Sequence, residues 1–118
     1  MAMSMMEIEM VYRFIRKHAR EELTWEKISE YVSLSPDYLR KEFREHYGMT
    51  LAHCVRDFRM EEASKMLTMT SERIGMIAYE MGIKNQAYFS KCFREWSGMT
   101  PRSFREKYYC IDEEELII

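Results

Sequence analysis

Apolar positions along the chain recur at helical spacing, and residues that start and stop helices punctuate them. Ile8, Val11, Tyr12 and Ile15 stand at i, i+3, i+4 and i+7, which predicts one amphipathic helix over about 5–19. Ser4 and Glu7 precede it at capping-box spacing. Thr24 is placed to cap a short helix through Tyr31, with Ile28 and Val32 inward. Ser35-Pro36 then puts a hydroxyl at N-cap and proline at N1, where its missing N–H costs nothing. The helix it opens turns Leu39 and Phe43 inward and stops near Gly48.

Four more helices follow by the same signals. Thr50 precedes a long apolar stripe of Leu51, Val55, Phe58, Ala63, Met66 and Leu67, over about 51–68. Ser71 is read as the start of a helix carrying Ile74, Ile77, Ala78 and Met81 inward and ending at Gly82. Asn85 caps the next, with Phe89 and Phe93 inward, Tyr88 inward or partly so, and Gly98 as its stop. Thr100-Pro101 repeats the hydroxyl-plus-proline start for a last helix through about Lys107. Seven helices and no credible strand predict an all-α fold.

An internal repeat gives this pattern its meaning. Phe43-Arg44-Glu45-His46-Tyr47-Gly48-Met49-Thr50 matches Phe93-Arg94-Glu95-Trp96-Ser97-Gly98-Met99-Thr100 at an offset of 50, and Tyr38, Leu39 and Lys41 match Tyr88, Phe89 and Lys91. Before the turn the offset is 49: Ile28 pairs with Ile77, Ser29 with Ala78, Val32 with Met81, Leu34 with Ile83. One residue is inserted in the second copy. Each unit of about 25 residues reads helix, tight turn, helix, with a small residue (Ser29, Ala78) for close helix approach and another (Ser33, Gly82) for the bend. That is the helix-turn-helix pattern, whose second helix can lie in a DNA major groove. The expected organisation is a first subdomain over 1–50, a linker helix over 51–68, and a second subdomain with an acidic tail over 69–118.

The charge balance argues the other way at first. Eighteen Lys and Arg against twenty Asp and Glu leave the 118-residue chain at −2, whereas nucleic-acid binders usually carry a basic excess. The distribution changes the picture. Asp112, Glu113, Glu114 and Glu115 account for −4, so residues 1–111 sum to +2, and residues 84–107 hold six basic against two acidic side chains, or +4. The second unit should therefore supply more of the electrostatic grip. No run approaches the 18 or more apolar residues of a membrane-spanning helix, and the Met-rich start lacks a basic region and reads as no secretory signal. Cys54, Cys92 and Cys110 are odd in number and widely spaced, which fits reduced thiols in a cytoplasm. Cys54 and Cys92 are expected to be buried. The twelve methionines are expected mostly as core filler, although a Met-rich groove for a partner helix stays open.

Residues 25–107 resemble the DNA-binding domain of the AraC/XylS family of bacterial transcription regulators. The resemblance rests on Ile28-Ser29, Ser35-Pro36-Asp37-Tyr38-Leu39-Arg40-Lys41-Glu42-Phe43, Gly48-Met49-Thr50 and Arg59-Met60-Glu61-Glu62-Ala63. It is densest over Ile77-Ala78-Tyr79-Glu80-Met81-Gly82-Ile83, Gln86-Ala87-Tyr88-Phe89-Ser90-Lys91-Cys92-Phe93-Arg94 and Gly98-Met99-Thr100-Pro101-Arg102-Ser103-Phe104-Arg105. The resemblance implies seven helices in two subdomains bridged by a long helix, and sequence-specific binding to double-stranded DNA by a regulator, an activator by family. It also implies contact with RNA polymerase. The sequence departs from the family at Ile83, where Phe is usual, and at Ala87, where Ser is common. Only residues 1–24 precede the match, so the chain is either a stand-alone small regulator or an excised C-terminal domain.

With Leu39 and Phe43 inward, the first recognition helix presents Pro36, Asp37, Arg40, Lys41 and Arg44. The second presents Asn85, Gln86, Ser90, Lys91 and Arg94. Arginine suits a bidentate grip on guanine and glutamine suits adenine; Arg40, Lys41 and Lys91 also align with DNA-contacting positions of the family. Asp37 either accepts from a cytosine amino group or serves the helix N-terminus. The two helices should enter successive major-groove segments of an asymmetric site, and a monomer or weak dimer suffices. No cofactor, metal or catalytic role is expected: His18, His46, His53 and Cys54 lack ligand spacing, and nothing arranges a nucleophile with a base. The competing reading is an all-α protein-interaction domain that does not bind DNA. The tail through Leu116-Ile117-Ile118 reads either as a frayed end or as a segment packing on the domain or on a neighbour.

Overall fold

The computed structural model describes residues 3–110, so the acidic tail and its expectation lie outside the described residues. Seven helices and no strand occur among them: α1 (Met5–Lys17), α2 (Trp25–Val32), α3 (Pro36–Tyr47), α4 (Leu51–Met69), α5 (Ile74–Glu80), α6 (Gln86–Ser97) and α7 (Pro101–Tyr108). The chain divides into two compact units after Phe58, inside α4.

Local chemistry sets most boundaries. Ser4 accepts from the Glu7 N–H while the Glu7 carboxylate accepts from the Ser4 N–H, the capping box in full. Thr24, Ser35, Thr50, Asn85 and Thr100 each accept from a backbone N–H three residues on. The start of α5 differs from the sequence reading. Ser71 does not cap it; the helix begins at Ile74 after Arg73, which gives no side-chain cap. The hydroxyl of Thr70 explains this. It donates to the Met66 carbonyl at the end of α4 and accepts from the Glu72 N–H, so the segment stays tied to α4 until Arg73.

In the first unit Ile8, Val11 and Ile15 of α1 meet Ile28, Leu39 and Phe43, closed by Leu51, Cys54 and Phe58 of α4. Trp25, absent from the sequence-based core, is buried there with its ring edge-on to Phe43 at 5.3 Å. In the second unit Met60, Ala63 and Leu67 of α4 meet Ile77, Met81, Phe89 and Phe93, and Phe104 of α7 abuts Phe93 edge-on at 5.1 Å.

Two expectations need correction. The apolar positions of α4 do not form a single stripe: at about 100° per residue, Leu51, Cys54 and Phe58 fall on one side of the helical wheel and Met60, Ala63 and Leu67 on the other. Val55 and Met66, read as part of that stripe, are only half-buried. Nor are the methionines mostly core. Met60 and Met81 are buried, but Met5, Met6, Met10, Met69 and Met76 are exposed, because their positions fall outside the buried faces of their helices.

The end of α4 is held by a side chain distant in sequence. The last carbonyls of a helix lack intrahelical partners. Arg105 of α7 supplies donors: its Nε bonds to the Leu67 carbonyl at 2.9 Å and its Nη2 to the Thr70 carbonyl at 3.2 Å. Glu72 lies beside it. A hydrogen bond that the protonated Glu72 carboxyl donates to Glu80, then desolvation and the Glu80 charge, push the Glu72 carboxyl above the usual range, against the pull of Arg105. Arg105→Ala should lower stability by about 1.5–3 kcal/mol, the range for hydrogen bonds to charged groups. Arg105→Lys should restore only part, since an ammonium lacks the planar fork. Urea midpoints followed by circular dichroism check both.

Candidate nucleic-acid interface

Each unit contains one helix-turn-helix, and the two turns are built differently. In the first, α2 ends at Ser33 in the left-handed conformation (φ 57°), its N–H bonded to the Ser29 carbonyl at 2.8 Å. The Ser29 hydroxyl donates across the turn to the Leu34 carbonyl. In the second, Ala78 has no hydroxyl to give. The bend falls on Gly82 (φ 81°), which tolerates it without a Cβ penalty, and the Ile83 N–H bonds to the Ala78 carbonyl at 2.9 Å. From the left-handed residue to the next N-cap is two residues in the first unit (Ser33 to Ser35) and three in the second (Gly82 to Asn85). The inserted residue is therefore Lys84, exposed beside the second recognition helix.

The recognition helices α3 and α6 are of equal length and similarly capped. Leu39 and Phe43, and likewise Phe89 and Phe93, are fully buried one turn apart. This pins one face of each helix inward and turns the opposite face to solvent. On α3, Asp37, Arg40, Lys41 and Arg44 are exposed and Pro36 is half-buried. On α6 and its cap, Asn85, Gln86, Lys91 and Arg94 are exposed and Ser90 is half-buried. Eight of the ten candidate residues are thus exposed, while Ser90 and Pro36, the latter on the Leu39–Phe43 side of α3, are half-buried.

Three details go beyond the sequence reading. Asp37 Oδ1 pairs with Arg40 Nη1 at 2.8 Å, one turn along α3. Tyr88, read as inward or partly so, is 58% exposed and joins the outward face of α6. Its repeat counterpart Tyr38 is half-buried, and its hydroxyl is pushed toward the neutral form by desolvation and by the charges of Glu42 and Glu7. Helical position alone separates Tyr88 from Phe89, because Tyr88 stands one residue off the Phe89–Phe93 stripe. Lastly, Gln86 lies over Gly75 of α5: a Cβ on Gly75 would sit 2.8 Å from Gln86 Oε1.

Among the described residues no group of three or more His, Cys, Asp or Glu side chains could hold a metal ion. Cys54 and Cys92 are buried and Cys110 is exposed. Burial, then the Asp57 charge, push the Cys54 thiol up to about 11.

A family profile described as a helix-turn-helix domain, of the AraC/XylS type, matches residues 28–107. The chain belongs to the AraC/XylS-type helix-turn-helix family. Members of the family are DNA-binding domains of transcription regulators, and this is such a domain. It is similar to the C-terminal domain of AraT, a response regulator from Geobacillus stearothermophilus, with 29% identity, a TM-score of 0.81, and 90% of this chain and 88% of that one covered. The DNA-binding domain of AdpA, solved in complex with a target DNA, shares the fold at 19% identity and a TM-score of 0.76, over 86% of this chain and 91% of that one. The bifunctional transcriptional activator/DNA repair enzyme AdaA of Bacillus subtilis is 32% identical over 99 residues, 84% of this chain and 47% of that protein. A Staphylococcus aureus HTH-type transcriptional regulator is also 32% identical, over 92% of this chain and 15% of its own length. This AraC/XylS-type chain thus spans about half or less of these curated relatives.

The contact between Gln86 and Gly75 gives a separable test. Gly75→Ala in helical backbone should leave stability equal or raise it by up to about 1 kcal/mol, since the obstructing atom ends a flexible side chain. The added methyl must displace the Gln86 amide, so any base preference that depends on Gln86 should change while the thermal midpoint does not fall. Binding to single-base variants of a selected duplex, alongside thermal unfolding, checks this.

Proposed function

We propose that this domain binds double-stranded DNA sequence-specifically, with α3 and α6 laid in successive major-groove segments about one helical turn, ~10 bp, apart. The observation that carries this reading is the pair of capped helices whose buried i, i+4 residues leave basic and amide side chains outward. Arg40 and Gln86 are assigned to base edges, guanine and adenine respectively. Lys41, Lys91 and Ser90 extend the two reading faces, with Arg44 and Arg94 one turn further on. Pro36 and Asn85 place the helix N-termini, whose N–H groups suit phosphate oxygens. Tyr88 and Lys84 are added to the second face.

The two faces differ in chemistry, Asp37, Arg40 and Lys41 against Ala87, Ser90 and Lys91, so the site should be asymmetric and a monomer or weak dimer sufficient. We assign the domain a regulatory rather than catalytic role, as an activator in a bacterial cytoplasm that contacts RNA polymerase through surfaces outside the grooves. No helix among the described residues is long and apolar enough to cross a membrane, and the helix-turn-helix relatives are bacterial regulators.

Salt and substitution separate this reading from a protein-interaction domain. Affinity for duplex DNA should fall with salt, log K against log[salt] losing about 0.9 of slope per phosphate contact. Arg40→Ala should relax base preference at one end of the site, and Lys91→Ala at the other, each by about 1–3 kcal/mol of discrimination. A flat salt response, or no duplex binding at low salt, would overturn the proposal. Equal weakening on all sequences by both variants would reassign Arg40 and Lys91 to phosphate.

A further inference from the structure

We propose that Asp37 is a positioning residue that sets the specificity of Arg40, and does not itself contact a base; this rests on the reading of Arg40 as a base reader. Asp37 is the second residue of α3, in the first turn, where the helix dipole favours a carboxylate. Arg40 stands three residues on, on the same face. The 2.8 Å contact takes one N–H of Arg40 Nη1, and a guanidinium has five donors in a fixed planar fork. Holding one of them restricts the orientation of the group and leaves the Nε–Nη2 edge for a bidentate acceptor pair such as guanine O6 and N7.

The carboxylate that suits the helix end carries an electrostatic cost on this face. The Asp37 side chain is 94% exposed on a face that approaches phosphates, so it opposes binding by charge. Its retention of Arg40 gives that cost a function: affinity is exchanged for discrimination. Asp37 therefore acts in opposite directions on the two quantities, whereas a residue serving only the helix end would alter neither preference nor its coupling to Arg40.

The test is a double-mutant cycle on the whole chain, using the duplex it enriches from a random pool and the single-base variants of that duplex. Asp37→Ala should reduce preference at the Arg40-dependent base pair by roughly 2–5-fold, the scale of an exposed ion pair, while tightening binding to a random duplex. In an Arg40→Ala background, Asp37→Ala should leave base preference unchanged. Asp37→Glu should restore part of the preference, and equal thermal midpoints show that the variants fold alike. The inference is overturned if Asp37→Ala keeps the wild-type preference, or if it changes preference equally with and without Arg40, which would make Asp37 a base reader in its own right. It is also overturned if Arg40→Ala alone leaves preference intact. Failure of the wild-type chain to enrich any duplex would instead refute the underlying DNA-binding reading.

Discussion

Every functional feature of this domain depends on one constraint, the pair of apolar side chains one turn apart in each recognition helix. Leu39 and Phe43 in α3, and Phe89 and Phe93 in α6, are all fully buried. Truncating a buried phenylalanine costs about 3–5 kcal/mol, a large share of the roughly 5–15 kcal/mol that holds a domain folded. The rotation of each helix about its own axis is therefore fixed by its core, and the polar face follows. Arg40, Lys91 and their neighbours point outward because Phe43 and Phe93 cannot.

The turns serve the same constraint by different chemistry. Ser33 takes the left-handed bend in the first unit, supported by the Ser29 hydroxyl on the Leu34 carbonyl. Gly82 takes it in the second, where Ala78 offers only backbone. The aromatic neighbours differ too: Trp25 backs Phe43, while Phe104 backs Phe93. Different turns and different aromatic neighbours thus each hold a 12-residue recognition helix by two fully buried side chains one turn apart.

Much of this was legible in the chain because caps and periodicity are local. Ser4, Thr24, Ser35, Asn85 and Thr100 cap as their spacing implies, and the 50-residue repeat aligns the two recognition helices. What was not legible depends on partners far off or on small rotations. Arg105 meets the end of α4 across 35 to 38 residues, which no periodic pattern encodes. Ser71 resembled a cap but does not act as one: α5 starts after Arg73 with no side-chain cap, and the Thr70 hydroxyl ties the residues before it to the end of α4. Tyr88 stands one position from a buried phenylalanine and faces the other way. The pairing of Asp37 with Arg40 fits i, i+3 spacing, but spacing alone does not say which rotamers bring the two side chains together.

The net charge of −2 sets the electrostatics in proportion. With the acidic tail accounted for, residues 84–107 are basic, while α3 balances Asp37, Glu42 and Glu45 against Arg40, Lys41 and Arg44. Specificity then has to come from the placement of a few donors in the groove. The direct measurement is methylation protection of guanine N7, an atom that lies in the major groove, on a duplex saturated with the chain. Protection in two separate tracts, one lost with Arg40→Ala and the other weakened by Lys91→Ala, is the predicted result. A fully bound duplex whose guanine N7 positions all stay reactive would contradict the account.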